Sequence, residues 1–235
     1  MPTTLEYAPY LFGIITVSGT TIYKLWRDRR ALQRAEFIRT YAWPPGLLGK
    51  ITVIHPYFRR KEGALIAQGL RQFFLAYLES GRKSVAMPSQ AADDLWHEFI
   101  LYTRAYNDFC RQAFGEFLHH TPARMMKPEL KNSNEGLRRV WWQCCKQESI
   151  NPQNPSRLPL LFALDKKLNI PGGFIYAPDC KDLRRKGVTG TQCATDFSSS
   201  SVDGSTDGFG TGSAGSDGSS SDGDGDGGGG CGGGD

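Results

Sequence analysis

The stretch DDLWHEFILYTRAYNDFCRQAFGEFLHHTP, from Asp93 to Pro122, contains three of the four histidines of the chain and one of its six cysteines. Along a helix that starts near Gln90, a turn of 100° per residue places its large side chains on one side. The members of this core stripe are Trp96, Phe99, Thr103, Tyr106, Cys110, Phe114 and Phe117. The stretch is therefore first of all a packed helix, and a mainly α, compact helical domain is the expected fold.

His97 falls nearly opposite this stripe, beside charged residues such as Asp93, so it is either exposed or covered by another part of the chain. In an unbroken helix His97 and His119 would lie about 33 Å apart, too far to share an ion. A shared site therefore requires the chain to fold back, and Gly115 is the position where a reversal is easiest. His119 and His120 would then lie on a turn that points toward another helix.

Two interpretations of these polar residues stay open. In the first, hydrogen bonds of His97 simply fix the helix packing. In the second, His97, His119, His120 and Asp93 bind a divalent transition metal such as zinc. Asp93 stands four residues before His97, a spacing at which its carboxylate can orient the imidazole.

Specific catalytic patterns are missing from the same stretch. The segment HEFIL does not complete the metalloprotease motif HExxH, because Leu101 stands four residues after His97. A nucleophilic pair of Cys110 with a histidine is disfavoured, because Cys110 belongs to the core stripe and reactive thiolates need polar surroundings. A metal-dependent enzyme would need His97, His119 or His120 to converge with Asp93 or Asp94 beside an open coordination position.

The amino-terminal segment predicts a membrane anchor. Residues 7–23 form a run of 17 uncharged residues, about 26 Å long as a helix, close to the shortest span of a bilayer. Basic residues and Trp26 follow at once, from Lys24 to Arg34, as at a cytoplasmic membrane boundary that can bind anionic lipid. The prediction is a single-pass protein with its domain in the cytoplasm. The alternative is a cytoplasmic or peripheral protein with a short buried or interfacial helix.

Composition divides the chain into three parts. Residues 1–41 hold the apolar segment and a basic juxtamembrane helix, residues 42–195 a helical globular domain, and residues 196–235 a disordered tail rich in Gly, Ser and Asp. The tail has 15 Gly and 8 Asp, so the body carries 28 basic against 16 acidic residues. Nucleic-acid binding through the two RRK runs at 59–61 and 184–186 is disfavoured, because no recognisable motif accompanies them.

The six cysteines show no CxxC and no other spacing typical of zinc. In a reducing cytoplasm they are expected to be buried thiols that pack as small hydrophobic groups. Cys144 and Cys145 are poor joint ligands on a helix, because adjacent side chains point about 100° apart.

Local patterns predict most of the helices. One starts at Lys24 and stops before Pro44, one covers residues 60–81 with Gly81 as its cap, and one starts after Ser89 as its N-cap. Two more are predicted in SNEGLRRVWWQCCKQE, begun by Ser133 or Asn134, and in RLPLLFALDKKLNI. The segment LLGKITVIHPYF is predicted to be irregular or a short strand, and PGGFIYAPDC a short strand or hairpin.

The strings PSQAADDLWHEFILYTRAYNDFCRQAFGEFLHHTP and LPLLFALDKKLNIPGGFIY resemble an uncharacterised group of bacterial proteins with the pattern PSxxxDxxWHxFIL, TxxY, FC and FGxFxHHxP. The acidic-LWH-then-Tyr pattern is also similar, more distantly, to the glycine-rich domain-containing-protein-like family. Neither resemblance implies a reaction or a cofactor. The resemblance does imply that nine residues belong to one constellation, which either packs in the core or binds a ligand. These residues are Trp96, His97, Thr103, Tyr106, Phe109, Cys110, Gly115, His119 and His120.

The leading functional prediction is a non-enzymatic, membrane-tethered domain with an interaction or scaffold role and a protein partner. In it the histidine constellation is structural or binds a metal. The alternative is the metal-dependent enzyme described above.

Overall fold

A computed structural model describes residues 8–120, 135–180, 185 and 191–193, with side chains from residue 19 onward. The chain divides into two units, Met1–Ser205 and Thr206–Asp235, and all described residues lie in the first. The predicted disordered tail at 196–235 lies outside the described residues, as do Ser133 and Asn134.

The described part of the chain is mainly α-helical, as predicted. Its helices are α1 (Ala8–Thr40), α2 (Leu47–Ile54), α3 (Arg60–Glu79), α4 (Gln90–Leu101), α5 (Thr103–Ala113), α6 (Glu135–Gln147) and α7 (Leu160–Leu168). Two short strands follow, β1 (Ile175–Ala177) and β2 (Thr191–Cys193).

Helix α3 is the centre of the core, because α1, α2, α4, α6 and α7 all pack against it. Its buried large side chains include Ile66, Leu70, Phe73, Phe74 and Tyr77. Gly69 lets α7 approach closely, since a Cβ at this position would overlap Leu164 Cδ1. The predicted cap at Gly81 is confirmed by its left-handed backbone, with φ of +70°.

The last two turns of α1 belong to this core. Ala35 and Ile38 are buried there. Arg71 of α3 donates from Nε to the Ile38 carbonyl at 3.3 Å and from Nη2 to the Tyr41 carbonyl, so it satisfies acceptors at the end of α1. Its guanidinium also lies over the ring of Trp43, 4.9 Å from the ring centre.

The predicted membrane span at residues 7–23 is not supported. Among the described residues, no helix combines the length and the apolarity that crossing a bilayer requires. Helix α1 has the length, but its apolar run is short, contains two glycines and several hydroxyl side chains, and ends at Lys24.

The segment after Gly46 is helical, so the prediction of an irregular segment or short strand was wrong. Four β-branched residues in succession, from Ile51 to Ile54, favoured a strand. Leu47 and Ile51 lie one helical turn apart and are both fully buried in the core. Their burial on one helix face outweighs the local strand preference.

The start of α4 is held by its own N-cap and by a buried carboxylate. The predicted N-cap is confirmed: Ser89 Oγ accepts a hydrogen bond from the Ala92 N–H at 3.2 Å. Asp165 of α7, which is buried, accepts from Ser89 Oγ at 2.6 Å and from the N–H groups of Gln90 and Ala91. It also accepts from the N–H of Phe174 at 2.9 Å. One carboxylate therefore joins α7, the loop before β1 and the helix that carries Asp93 and His97.

The helix that starts at Gln90 does not continue unbroken to Gly115. Tyr102, with φ of −78° and ψ of 58°, separates α4 from α5. Two members of the predicted core stripe are wrong: Thr103, directly after this break, is exposed, and Phe117, beyond the end of α5, keeps 41% of its surface exposed. Trp96, Phe99, Tyr106, Cys110 and Phe114 are buried as predicted.

The two strands form a parallel pair in which Ala177 lies opposite Cys193. The strand predicted in PGGFIYAPDC is confirmed as β1, but it is not part of a hairpin, because hairpin strands are antiparallel. Cys180 and Cys193 form a disulfide with a Cα separation of 5.7 Å, so the prediction of a free thiol was wrong for both. The strand pairing brings together two cysteines that stand 13 residues apart in sequence.

The other described cysteines, Cys110, Cys144 and Cys145, are free and buried, as predicted. Burial raises the pKa of all three thiols, that of Cys145 to about 12. At pH 8 the thiolate fraction of Cys145 is then on the order of one in ten thousand. We expect these three thiols to resist a maleimide in the native protein and to react fully in guanidinium, as measured by peptide mass spectrometry. Rapid native labelling of all three would contradict this burial.

Candidate metal centre

The chain reverses direction directly after α5, as the position of Gly115 predicted. Gly115 has φ of +81°, a backbone conformation that suits glycine. A Cβ on Gly115 would also lie 2.5 Å from Nη2 of Arg34, a contact that a shift of the flexible arginine side chain would relieve, so the backbone conformation is the main reason for glycine here. Arg82 reaches the same turn and donates to the Phe114 carbonyl at 3.0 Å.

A buried hydrogen-bond chain fixes the returning segment. Trp96 Nε1 of α4 donates to the Tyr106 hydroxyl at 3.1 Å, and this hydroxyl donates to the Leu118 carbonyl at 2.5 Å. Burial raises the pKa of Tyr106 well above its ordinary value, and the nearby Cys110 adds to the effect. The tyrosine therefore stays protonated and keeps its donor for Leu118, two residues before His120.

The reversal brings His120 to Asp93 and His97. His120 Nε2 lies 3.0 Å from Asp93 Oδ1, and His97 Nδ1 lies 3.5 Å from Asp93 Oδ2. The two imidazole rings lie 4.3 Å apart between their centres. With one ligand atom taken from each residue, the three atoms lie within 4.8 Å of one another.

The three side chains differ in their surroundings. The side chain of His120 is 15% exposed and packs edge-on against Trp96, with the ring centres 4.5 Å apart. The side chain of His97 is 52% exposed. Its Nδ1 lies 2.8 Å from the Asp93 backbone carbonyl, which only accepts, so Nδ1 is the protonated nitrogen in this hydrogen bond. One side of the cluster is therefore anchored on the core, and the other faces solvent.

Two candidates from the sequence lie elsewhere. His119 is exposed and its ring packs against Phe117 at 4.8 Å, so it is not part of the cluster. Asp94 points to a different partner: its Oδ2 lies 2.9 Å from His55 Nε2. His55 was missed by sequence reasoning, because it precedes Asp94 by 39 residues and no local pattern connects them.

Most of the remaining members of the predicted constellation lie in the core next to the cluster. Trp96, Tyr106, Phe109 and Cys110 are buried, and Gly115 provides the reversal. Thr103 is exposed at the start of α5 and contributes nothing to this packing. Four members of the predicted constellation thus form a buried layer beside Asp93, His97 and His120, and two members, Thr103 and His119, lie outside it.

Comparison with known proteins gives one match. A family model described as UCP032817-like matches residues 33–197. No curated protein and no solved structure matches the chain significantly.

Proposed function

The chain belongs to the UCP032817-like family, and from that premise we propose that it is a helical domain that binds a divalent transition metal through Asp93, His97 and His120. The matched residues 33–197 contain all three proposed ligands and the elements that position them, whereas the predicted anchor at residues 7–23 lies outside the match. The finer resemblance to glycine-rich domain-containing-protein-like proteins stays a prediction and adds no ligand.

The observation that carries the proposal is the convergence of three potential ligands within 4.8 Å. Ligand atoms of a tetrahedral zinc site lie about 3.3–3.5 Å apart, given metal–ligand bonds of about 2.0–2.1 Å. His120 Nε2 and Asp93 Oδ1, 3.0 Å apart, lie slightly closer than this, and His97 Nδ1, 3.5 Å from Asp93 Oδ2, would have to lose its proton and its hydrogen bond to the Asp93 carbonyl to act as a ligand. Small side-chain rotations of His97, the most exposed of the three, would complete the set.

Two imidazoles and one carboxylate are ligands that suit zinc and similar transition metals better than calcium or magnesium. Three protein ligands leave a fourth position, and the exposed side of His97 directs it toward solvent. A metal-dependent enzyme that activates water there is therefore the alternative to a purely binding role.

The test is a zinc titration of the full chain, purified without chelator and without a polyhistidine tag. We expect about one equivalent of tightly bound metal by elemental analysis. His97→Ala, His120→Ala and Asp93→Asn should each weaken zinc binding at least about 100-fold, because each removes a direct ligand. His119→Ala is the matched control and should bind zinc like the wild type, since its ring lies outside the cluster.

If the cluster only stabilises the fold and binds no metal, the zinc titration gives a different result. Wild-type protein that is well folded and metal-free, with a melting temperature that zinc and chelator leave unchanged, would contradict the metal proposal. If His119→Ala lowered the zinc affinity as much as His97→Ala, that outcome would also contradict the proposed set of ligands.

An interaction role is the second candidate function, and the surface at the carboxyl-terminal end of α2 favours it. Val53 and Tyr57 are 75% and 96% exposed, and Ile54 is 43% exposed. Apolar side chains that cluster on a surface are typical of contact sites. Membrane tethering through residues 7–23 also stays a proposal, tested by whether deletion of residues 1–25 moves the protein into the soluble fraction.

A further inference from the structure

A small basic cleft lies between α1 and α5, away from the metal ligands. It has a volume of about 320 Å³ and is lined by Arg30, Gln33, Arg34, Phe37, Arg111 and Gln112. None of these described lining residues is acidic. Five of the six present hydrogen-bond donors, and three of those five are guanidinium groups, which match the oxygen geometry of phosphate.

Among the described residues the three arginines are in no ion pair, although the Arg30 guanidinium lies over the Trp26 ring, 4.8 Å from its centre. Within the described part of the chain, no carboxylate lies within ion-pair distance of Arg30, Arg34 or Arg111. Glu116, whose charge acts on Arg34, is engaged by Arg82 at 3.6 Å and by the Tyr77 hydroxyl at 3.3 Å. Within the part of the chain that the structure describes, the positive charge of the cleft is therefore not neutralised by a direct ion pair.

The closeness of these positive charges in the folded protein is electrostatically unfavourable. Arg34 is half-buried beside the Gly115 turn. Burial lowers its pKa, and repulsion from Arg82 and Arg30 lowers it further, with only Glu116 acting in the opposite direction. An anion in the cleft would relieve this repulsion.

We propose that the cleft formed by Arg30, Arg34 and Arg111 binds the phosphate group of an anionic ligand. The two glutamines add amide donors at its rim, and Phe37 forms an apolar wall. The site is independent of the metal proposal, because it uses none of the metal ligands.

A phosphate group that binds this cleft belongs either to a lipid headgroup or to a soluble phosphate compound, and two probes distinguish these two sources. One and two helix turns before Arg30, the side chains of Trp26 and Ile22 are 53% and 66% exposed, as a lipid surface would accommodate. The first probe is therefore sedimentation of the full chain with phosphatidylcholine vesicles, with and without phosphatidylserine. The second probe is inorganic pyrophosphate, titrated by calorimetry.

The test variant is Arg34→Gln/Arg111→Gln, and the control is Arg60→Gln/Arg104→Gln, which removes the same charge from exposed positions elsewhere. We expect the test variant to weaken binding of at least one probe by about tenfold or more, and the control to leave it within twofold of the wild type. If the test variant loses binding to vesicles alone, the ligand is a lipid headgroup. If it loses binding to pyrophosphate, the ligand is a soluble phosphate compound. Because Arg34 contacts the Gly115 turn, Arg30→Gln/Arg111→Gln repeats the test with exposed positions only.

Two results would overturn the proposal. One is wild-type protein that binds neither probe. The other is equal weakening in the test and control variants, which would mean that binding follows net charge and not the cleft.

Discussion

Asp165→Ala is expected to lower the free energy of unfolding by about 3–5 kcal/mol. The substitution removes the acceptor for four donors that belong to two separate segments, the start of α4 and the loop before β1. The hydroxyl of Ser89 and the N–H of Ala91 are buried, so water cannot replace the carboxylate there without rearrangement. The measurement is urea unfolding of the full chain, followed by circular dichroism.

Two further variants separate this effect from a general effect of substitution in α7. Lys166→Ala changes the exposed neighbour and should stay within about 0.5 kcal/mol of the wild type. Asp165→Asn keeps the size and one acceptor oxygen but turns an amide group toward the donors, so an intermediate loss is expected. If Asp165→Ala were as stable as Lys166→Ala, the carboxylate would not be holding the start of α4.

Trp96→Ala is expected to destabilise the fold by about 3–5 kcal/mol and to weaken zinc binding as well. The indole fills the space beside Phe73 and Phe74, and its edge supports the His120 ring. Its removal leaves a cavity and also deletes the donor to Tyr106. Urea unfolding and zinc titration measure the two effects separately.

Trp96→Phe is the matched variant, because it keeps an aromatic ring and loses the indole donor. We expect a smaller loss of stability and zinc affinity close to that of the wild type, since Tyr106 still donates to Leu118. Normal zinc binding by a folded Trp96→Ala protein would show that the indole does not position His120.

The parts of the fold that were predictable depend on local chemistry. The start of α4 follows from the Ser89 hydroxyl and the end of α3 from Gly81, because caps act over three or four residues. The break at Tyr102 has no such signal, since the apolar spacing continues through it without Gly or Pro. Thr103 is exposed directly after this break, whereas the exposed position of Phe117 follows the end of α5 and the reversal at Gly115.

Local sequence signals also predicted the site, but only in part. Gly115 indicated a reversal, and a reversal was enough to bring a histidine of the tandem pair back to His97. Which of the two arrives depends on the hydrogen bond from Tyr106 to Leu118, a tertiary contact. The pairs His55–Asp94 and Cys180–Cys193 likewise join residues that are distant in sequence, so no local pattern could reveal them.

The burial of Ala35 and Ile38 decides where a shortened version of this protein can begin. A fragment cut at residue 42, where the sequence placed its domain boundary, would lose both side chains and would leave the Arg71 guanidinium without the Ile38 and Tyr41 carbonyls. It would also lack Arg34 beside the Gly115 turn. Expression trials should therefore keep the carboxyl-terminal half of α1, and aggregation of a shorter fragment would report a missing part of the core, not the loss of an anchor.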